Sequence, residues 1–191
     1  MSNVIMETGT EKKRIHPQKF ALWIAMASII MMFAGLTSAY IVRKAQGNWV
    51  MYHLPSIFWV STAAIVLSSV TIILGTKAFK QRQMPRFKML ISVTLILGIL
   101  FAILQYLGFK QLYATNIRLD GNPSESFLFI IAGLHILHIF GGIVALVIVF
   151  FRAFRKKVKI YSSTGLEIVS AYWHFVDVLW IYLFVFFLAN Q

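Results

Sequence analysis

The chain has 191 residues, of which 59% are hydrophobic and only 13% charged, against about half and about a quarter in soluble domains. That balance excludes a soluble globular protein and identifies an integral membrane protein. The formal net charge of +12 lies in short basic segments between apolar blocks, so it reads as a topology signal, with no nucleic-acid partner; the absence of cysteine excludes disulfides, thiolate metal sites and cysteine nucleophiles.

Residues 1–18 form a polar tail with Glu7, Glu11, Lys12, Lys13 and Arg14. It has no apolar core followed by a small-residue cleavage site, so the first span is expected to direct its own insertion. Residues 19–191 are expected to form one transmembrane domain. Its apolar blocks run from Lys19 to Val42, Ser56 to Phe79, Met89 to Tyr113, Ser124 to Phe151 and Leu166 to Asn190. Each reaches the roughly 20 residues that cross a bilayer as helix, and none alternates as a barrel strand does. The fold class is therefore all-α, an integral membrane bundle of five transmembrane helices.

Basic residues give it a direction. Lys12, Lys13, Arg14 and Lys19 precede the first span; Lys77, Lys80, Arg82, Arg86 and Lys88 surround the second connection; Arg152, Arg155, Lys156, Lys157 and Lys159 lie in the fourth. The other connections carry only Arg43 and Lys44, or Lys110 and Arg118 beside Asp120 and Glu125. The positive-inside rule places the N-terminus inside and the C-terminus outside. Asp120, Gly121, Asn122 and Pro123 supply turn chemistry, with Ser124 expected as the N-cap of the fourth helix.

The first span carries small residues, Ser28, Gly35, Ser38 and Ala39, that suit close helix packing. In the second, Ser61, Thr62, Ser68, Ser69 and Thr71 read as packing positions whose hydroxyls bond back to their own helix. Gln105 is the one strongly polar side chain deep in the third. In the fourth, His135 and His138 share a face, with Gly133, Gly141 and Gly142 close by.

The fifth span is the most informative. Glu167, Ser170, His174 and Asp177 recur at spacings of three, four and three, so they line one helix face that should look into the protein. An aspartate at the centre of a span costs roughly 2.5–3.5 kcal/mol on insertion scales. With about 1.5 Å of rise per residue, His135 and Asp177 both lie near the midplane, where neighbouring antiparallel helices bring His135 or His138 within reach of His174 or Asp177. Three readings of this cluster stand open: a metal or haem site, a proton relay, and a hydrogen-bonded network that locks helices together.

Gly165-Leu166-Glu167, followed by Tyr172-Trp173-His174-Phe175-Val176-Asp177-Val178-Leu179-Trp180, resembles the last helix of subunit III of haem-copper respiratory oxidases. Gly133-Leu134-His135-Ile136-Leu137-His138 with Gly141-Gly142 resembles another helix of that family, Ile136 replacing the usual second glycine, and Ser126-Phe127 stands ahead of it. Weaker echoes are Ala34-Gly35 with Ala39-Tyr40, Leu67-Ser68-Ser69 with Thr71, and Gly98 with Gln105. The likeness covers the chain after residue 18 and matches the short, five-helix form of the family.

The resemblance implies a noncatalytic subunit of a proton-pumping terminal oxidase in the bacterial cytoplasmic membrane. It would pack directly on subunit I, share a complex with subunit II, bind phospholipid, and help sustain proton uptake during oxygen reduction. Haem and copper are then expected in the partner subunits and none in this chain, and the complex is compatible with a respiratory supercomplex. His135, His138 and His174 would bond between helices with Glu167 and Asp177. Tyr172-Trp173-His174 favours a cytochrome c oxidase over a quinol oxidase. The family often has a glutamate after the serine matching Ser28, where this chain has Ile29, and an acidic residue where it has Gly108; roles of those carboxylates do not carry over. The competing reading from another class is a small proton-coupled transporter or channel using His174 and Asp177; a free-standing haem or copper enzyme is the third.

Overall fold

The computed structural model describes residues 16–47, 54–114, 122–155 and 163–190. The basic residues expected at 12–14, 118 and 156–159, together with Asp120, lie outside them. Five helices make up the described residues: α1 (Pro17–Ala45), α2 (Ile57–Lys80), α3 (Met84–Ala114), α4 (Pro123–Phe154) and α5 (Ser163–Asn190). All five are long and apolar enough to cross a membrane, which is the all-α, five-span bundle read from the sequence.

The helix ends follow local chemistry. Pro17 and Pro123 occupy the first helical turn, where a missing N–H is harmless. The N-cap of α4 is Asn122, whose side chain accepts from Ser124 N at 3.1 Å. Ser124 had been the expected cap; Pro123, with its fixed φ and absent donor, fills the first position and moves the cap back one residue beyond it. α3 begins at Met84, so Arg86 and Lys88 lie on helix instead of in a loop. Its junction with α2 is tight: Gln83 N bonds to Ala78 O at 2.9 Å, and Arg82 adopts a left-handed φ of 56° to make the turn.

α2 and α3 form a closely packed antiparallel hairpin, α3 also packs on α4, and α5 closes the ring by touching both α2 and α4. α1 stands outside this ring in the crease between α4 and α5 and touches neither α2 nor α3. It runs parallel to α5 and is fastened to it along its length. Lys19 reaches Glu167 at 2.6 Å, Thr37 Oγ1 and Tyr182 OH share a hydrogen bond of 3.0 Å, and Lys44 Nζ donates to Asn190 O at 3.2 Å. The core is aromatic and branched, with Phe33, Phe101, Trp173, Trp180, Ile139 and Leu146 buried together. Much of the apolar surface is left outward, where lipid tails or protein accept it without penalty.

Candidate functional site

The polar face of α5 is met by α2. Beginning at the end of the bundle that holds the α2–α3 turn, Glu167 pairs with Lys80 of α2 at 3.1 Å as well as with Lys19 of α1. Ser170 Oγ accepts from Thr76 at 3.4 Å, and Trp173 Nε1 donates to Ser68 Oγ at 2.9 Å. His174 Nδ1 and Ser69 Oγ share a bond of 2.6 Å, and Trp180 Nε1 donates to Thr62 Oγ1 at 3.0 Å. Numbers fall along α2 as they rise along α5, so an antiparallel pair is stitched along most of its length. Interhelical bonds of this kind contribute about 0.6 kcal/mol each on average and up to about 1.7 kcal/mol in a membrane.

This pairing differs from the expected meeting of α5 with the histidines of α4. Among the described residues, no hydrogen bond joins His135, His138 or His174 to Glu167 or Asp177. His138 Nδ1 donates to the Leu134 carbonyl of its own helix at 2.6 Å, while its own carbonyl accepts from Tyr172 OH at 3.1 Å. His135 is fully buried and stacks on Trp180, ring centroids 5.3 Å apart, with edges toward Phe33 and Phe101. Among the described residues, neither of its ring nitrogens has a hydrogen-bond partner, and neither carboxylate oxygen of buried Asp177 is within bonding geometry of one, although the Ser69 hydroxyl stands close to that carboxylate. Gln105 gives its amide to Ser61 Oγ at 3.0 Å, and among the described residues its Oε1 is unbonded. Groups left this way cost about 1–3 kcal/mol each.

The hydroxyls of α2 do more than the packing expected from the sequence. Ser61, Thr62 and Thr71 do bond back to carbonyls of their own helix, but Thr62, Ser68, Ser69 and Thr76 also meet side chains of α5. One signal was available: Thr62, Ser69 and Thr76 lie seven residues apart, the repeat of one helix face.

The small residues divide as sharply. A Cβ on Gly142 would stand 3.0 Å from the Trp173 ring, and one on Gly98 of α3 would stand 2.8 Å from an adjoining carbon of the same ring, so the two glycines make the slot that holds the indole. Gly141 has only Tyr172 OH at 3.9 Å, and Gly35 and Gly133 face nothing within 4 Å. Ser28 is exposed and bonds to Ile24 O. Of the expected packing positions, only Gly142 is tightly engaged within the chain. Gly108, where the resemblance would have an acidic residue, has Phe58 2.9 Å from a would-be Cβ, so a carboxylate there would displace the ring.

Beside the α2–α3 turn opens a cleft of about 760 Å³, lined by Phe79, Phe87, Ile148 and Leu166 with Arg152 and Arg155. Among the described residues, no three of the histidines, aspartates and glutamates group as a metal site would require.

Set beside known proteins, residues 19–189 match the family model described as cytochrome c oxidase subunit III. The chain belongs to that family. Similar members include the cytochrome c oxidase subunit 3 of Corynebacterium diphtheriae, 31% identical and aligned over 85% of this chain and 82% of the relative. A probable cytochrome c oxidase subunit 3 of Nocardia farcinica is 33% identical over 84% and 82%. A probable quinol oxidase subunit 3 of Staphylococcus aureus is 25% identical over 93% and 92%. As a subunit III of the haem-copper oxidase family, the chain is one component of a multisubunit, membrane-embedded oxidase whose metal centres lie in other subunits.

Proposed function

We propose that this subunit III serves a bacterial cytochrome c oxidase as a noncatalytic scaffold in the cytoplasmic membrane. It packs directly on subunit I, with subunit II in the same complex, and sustains subunit I stability and proton uptake while oxygen is reduced. The observation that carries the scaffold role is the use of the polar side chains of α5. Glu167, Ser170, Trp173, His174 and Trp180 are each engaged with α1 or α2, which is fastening chemistry. A transporter built on His174 and Asp177 has less support: the helices run unbroken among the described residues, whereas midplane transport sites are commonly formed by interrupted helices.

The preference for cytochrome c as donor rests on Tyr172-Trp173-His174, and the two most similar relatives described above bear cytochrome c oxidase names. Phospholipid binding is supported by the cleft, which sets Arg152 and Arg155 at the edge of an apolar wall, the pairing of guanidinium with phosphate over acyl chains. An inside N-terminus is supported by the gathering of Lys19, Lys80, Arg82, Arg86 and Arg152 at one end of the bundle, as the positive-inside rule expects. The deciding experiment is purification through a C-terminal tag in mild detergent, with mass spectrometry of the copurifying chains and a reduced-minus-oxidised spectrum. Haem absorbance that follows a larger multi-histidine subunit supports the proposal; a colourless lone chain from intact membranes overturns it. Protease added to spheroplasts should remove the tag, and a protected tag reverses the topology.

A further inference from the structure

Between α1 and α2 the outer side of α5 is uncovered. Because α1 and α2 touch α5 but not each other, they form the walls of a trough whose floor is one stripe of α5. That stripe is Glu167, Ala171, His174, Val178, Ile181 and Val185, at spacings of four, three, four, three and four. This is the repeat of a seam that receives another helix. Val178 and Val185 are 64% and 57% exposed, and Glu167 bridges to Lys19 and Lys80 across one mouth of the trough.

Midway along the floor lies an imidazole. His174 is half-buried; its Nδ1 is used by Ser69, and among the described residues its Nε2 has no partner. Counted from Ser163 it sits roughly 16 Å along the helix, deep in the span, where hydrocarbon offers neither donor nor acceptor. A lipid chain would leave that nitrogen unsatisfied, whereas a helix bearing a polar side chain would satisfy it while its small or branched residues mesh with Ala171 and Val178.

We propose that the trough seats a transmembrane helix of the oxidase's haem-bearing subunit, with a hydrogen-bonding side chain of that helix facing His174 Nε2. This rests on the assignment to an oxidase scaffold and adds the face through which it docks. Because the chain has no cysteine, single thiols can be placed at will. Ala171→Cys and Val178→Cys in the trough are compared with Leu137→Cys and Val144→Cys on the exposed face of α4, in native membranes holding the whole complex. Each is labelled with a maleimide-benzophenone, illuminated and analysed by peptide mass spectrometry. The trough positions should crosslink to a membrane-spanning peptide of the haem-bearing subunit, and the α4 positions should not. Crosslinks from the trough only to lipid or to a second copy of this chain, or haem-subunit crosslinks from α4 alone, overturn the inference. Haem is read in the same purified samples: if haem follows the tag, such a result removes only the docking face, and if haem is absent the scaffold assignment fails with it. His174→Gln, which keeps a donor and acceptor, should hold the haem subunit through detergent washing. His174→Leu should lose it about threefold to tenfold, and equal retention of both overturns the hydrogen bond to the partner.

Discussion

Gly142→Ala should destabilise the bundle far more than one methyl group suggests. The added Cβ would lie 3.0 Å from two carbons of the Trp173 ring, where ordinary contact begins at about 3.4 Å, so something must move by several tenths of an ångström. The indole is also confined elsewhere: the adjoining side of the ring packs so closely on Gly98 that a Cβ there would lie 2.8–2.9 Å away, and its Nε1 is held by Ser68 at 2.9 Å. Overpacking of this kind costs about 1–3 kcal/mol. With about 2–4 °C per kcal/mol for chains of this size, the melting temperature of the detergent-solubilised subunit should fall by roughly 2–12 °C. Gly133→Ala is the control, since a Cβ there meets nothing within 4 Å, and it should be neutral or slightly stabilising. Thermal melting followed by size-exclusion chromatography measures both. Trp173→Phe, itself destabilising, should cost less in the Gly142→Ala background than alone, a coupling read from a double-mutant cycle. Equal melting temperatures for Gly142→Ala and Gly133→Ala would refute the slot.

Three further outcomes follow from the contacts. Ser69→Ala, which removes the partner of His174 Nδ1, should lower stability by about 0.6–1.7 kcal/mol; no change in melting would mean that the bond contributes nothing. Glu167→Gln removes the charge shared by Lys19 and Lys80, but all three side chains are partly exposed, so the loss should be at most about 1 kcal/mol. It should shrink as salt rises, and a salt-independent loss in the same melting assay would contradict the ion-pair account. Arg82→Gly should raise stability by about 0.5–1 kcal/mol, because the left-handed φ of 56° at the α2–α3 turn suits glycine and strains arginine; a lower melting temperature would show that the arginine side chain makes a compensating contact.

The five helices were legible because a bilayer demands apolar runs of a certain length, and length is written directly in the sequence. The grouping of Glu167, Ser170 and His174 on one face was legible for a similar reason, since helical spacing fixes angle. Which helix meets that face was not. Adjacency in the chain pointed to α4, yet the hydroxyls of α2 serve the face. Packing on α4 is instead where Trp173 fills the space left by Gly142, with Gly98 of α3 beside it, and such complementarity between distant positions has no local signature. His135 shows the same limit from the other side. Its type suggested a hydrogen-bonding role, whereas its surroundings are the rings of Trp180, Phe33 and Phe101.

The position of α1 has a consequence for how the chain is made. It leaves the ribosome before the other four helices, but among the described residues the helices it touches, α4 and α5, are the latest of the five to be synthesised. At about 5–20 residues per second, α1 waits on the order of ten seconds in the bilayer before α5 exists. During that interval the α2–α3 hairpin can form from neighbouring segments alone, so assembly proceeds from the middle of the chain outward and α1 docks last. A newborn α1 must therefore persist without its partners among these helices, and its capture by Tyr182, Glu167 and Asn190 closes the bundle.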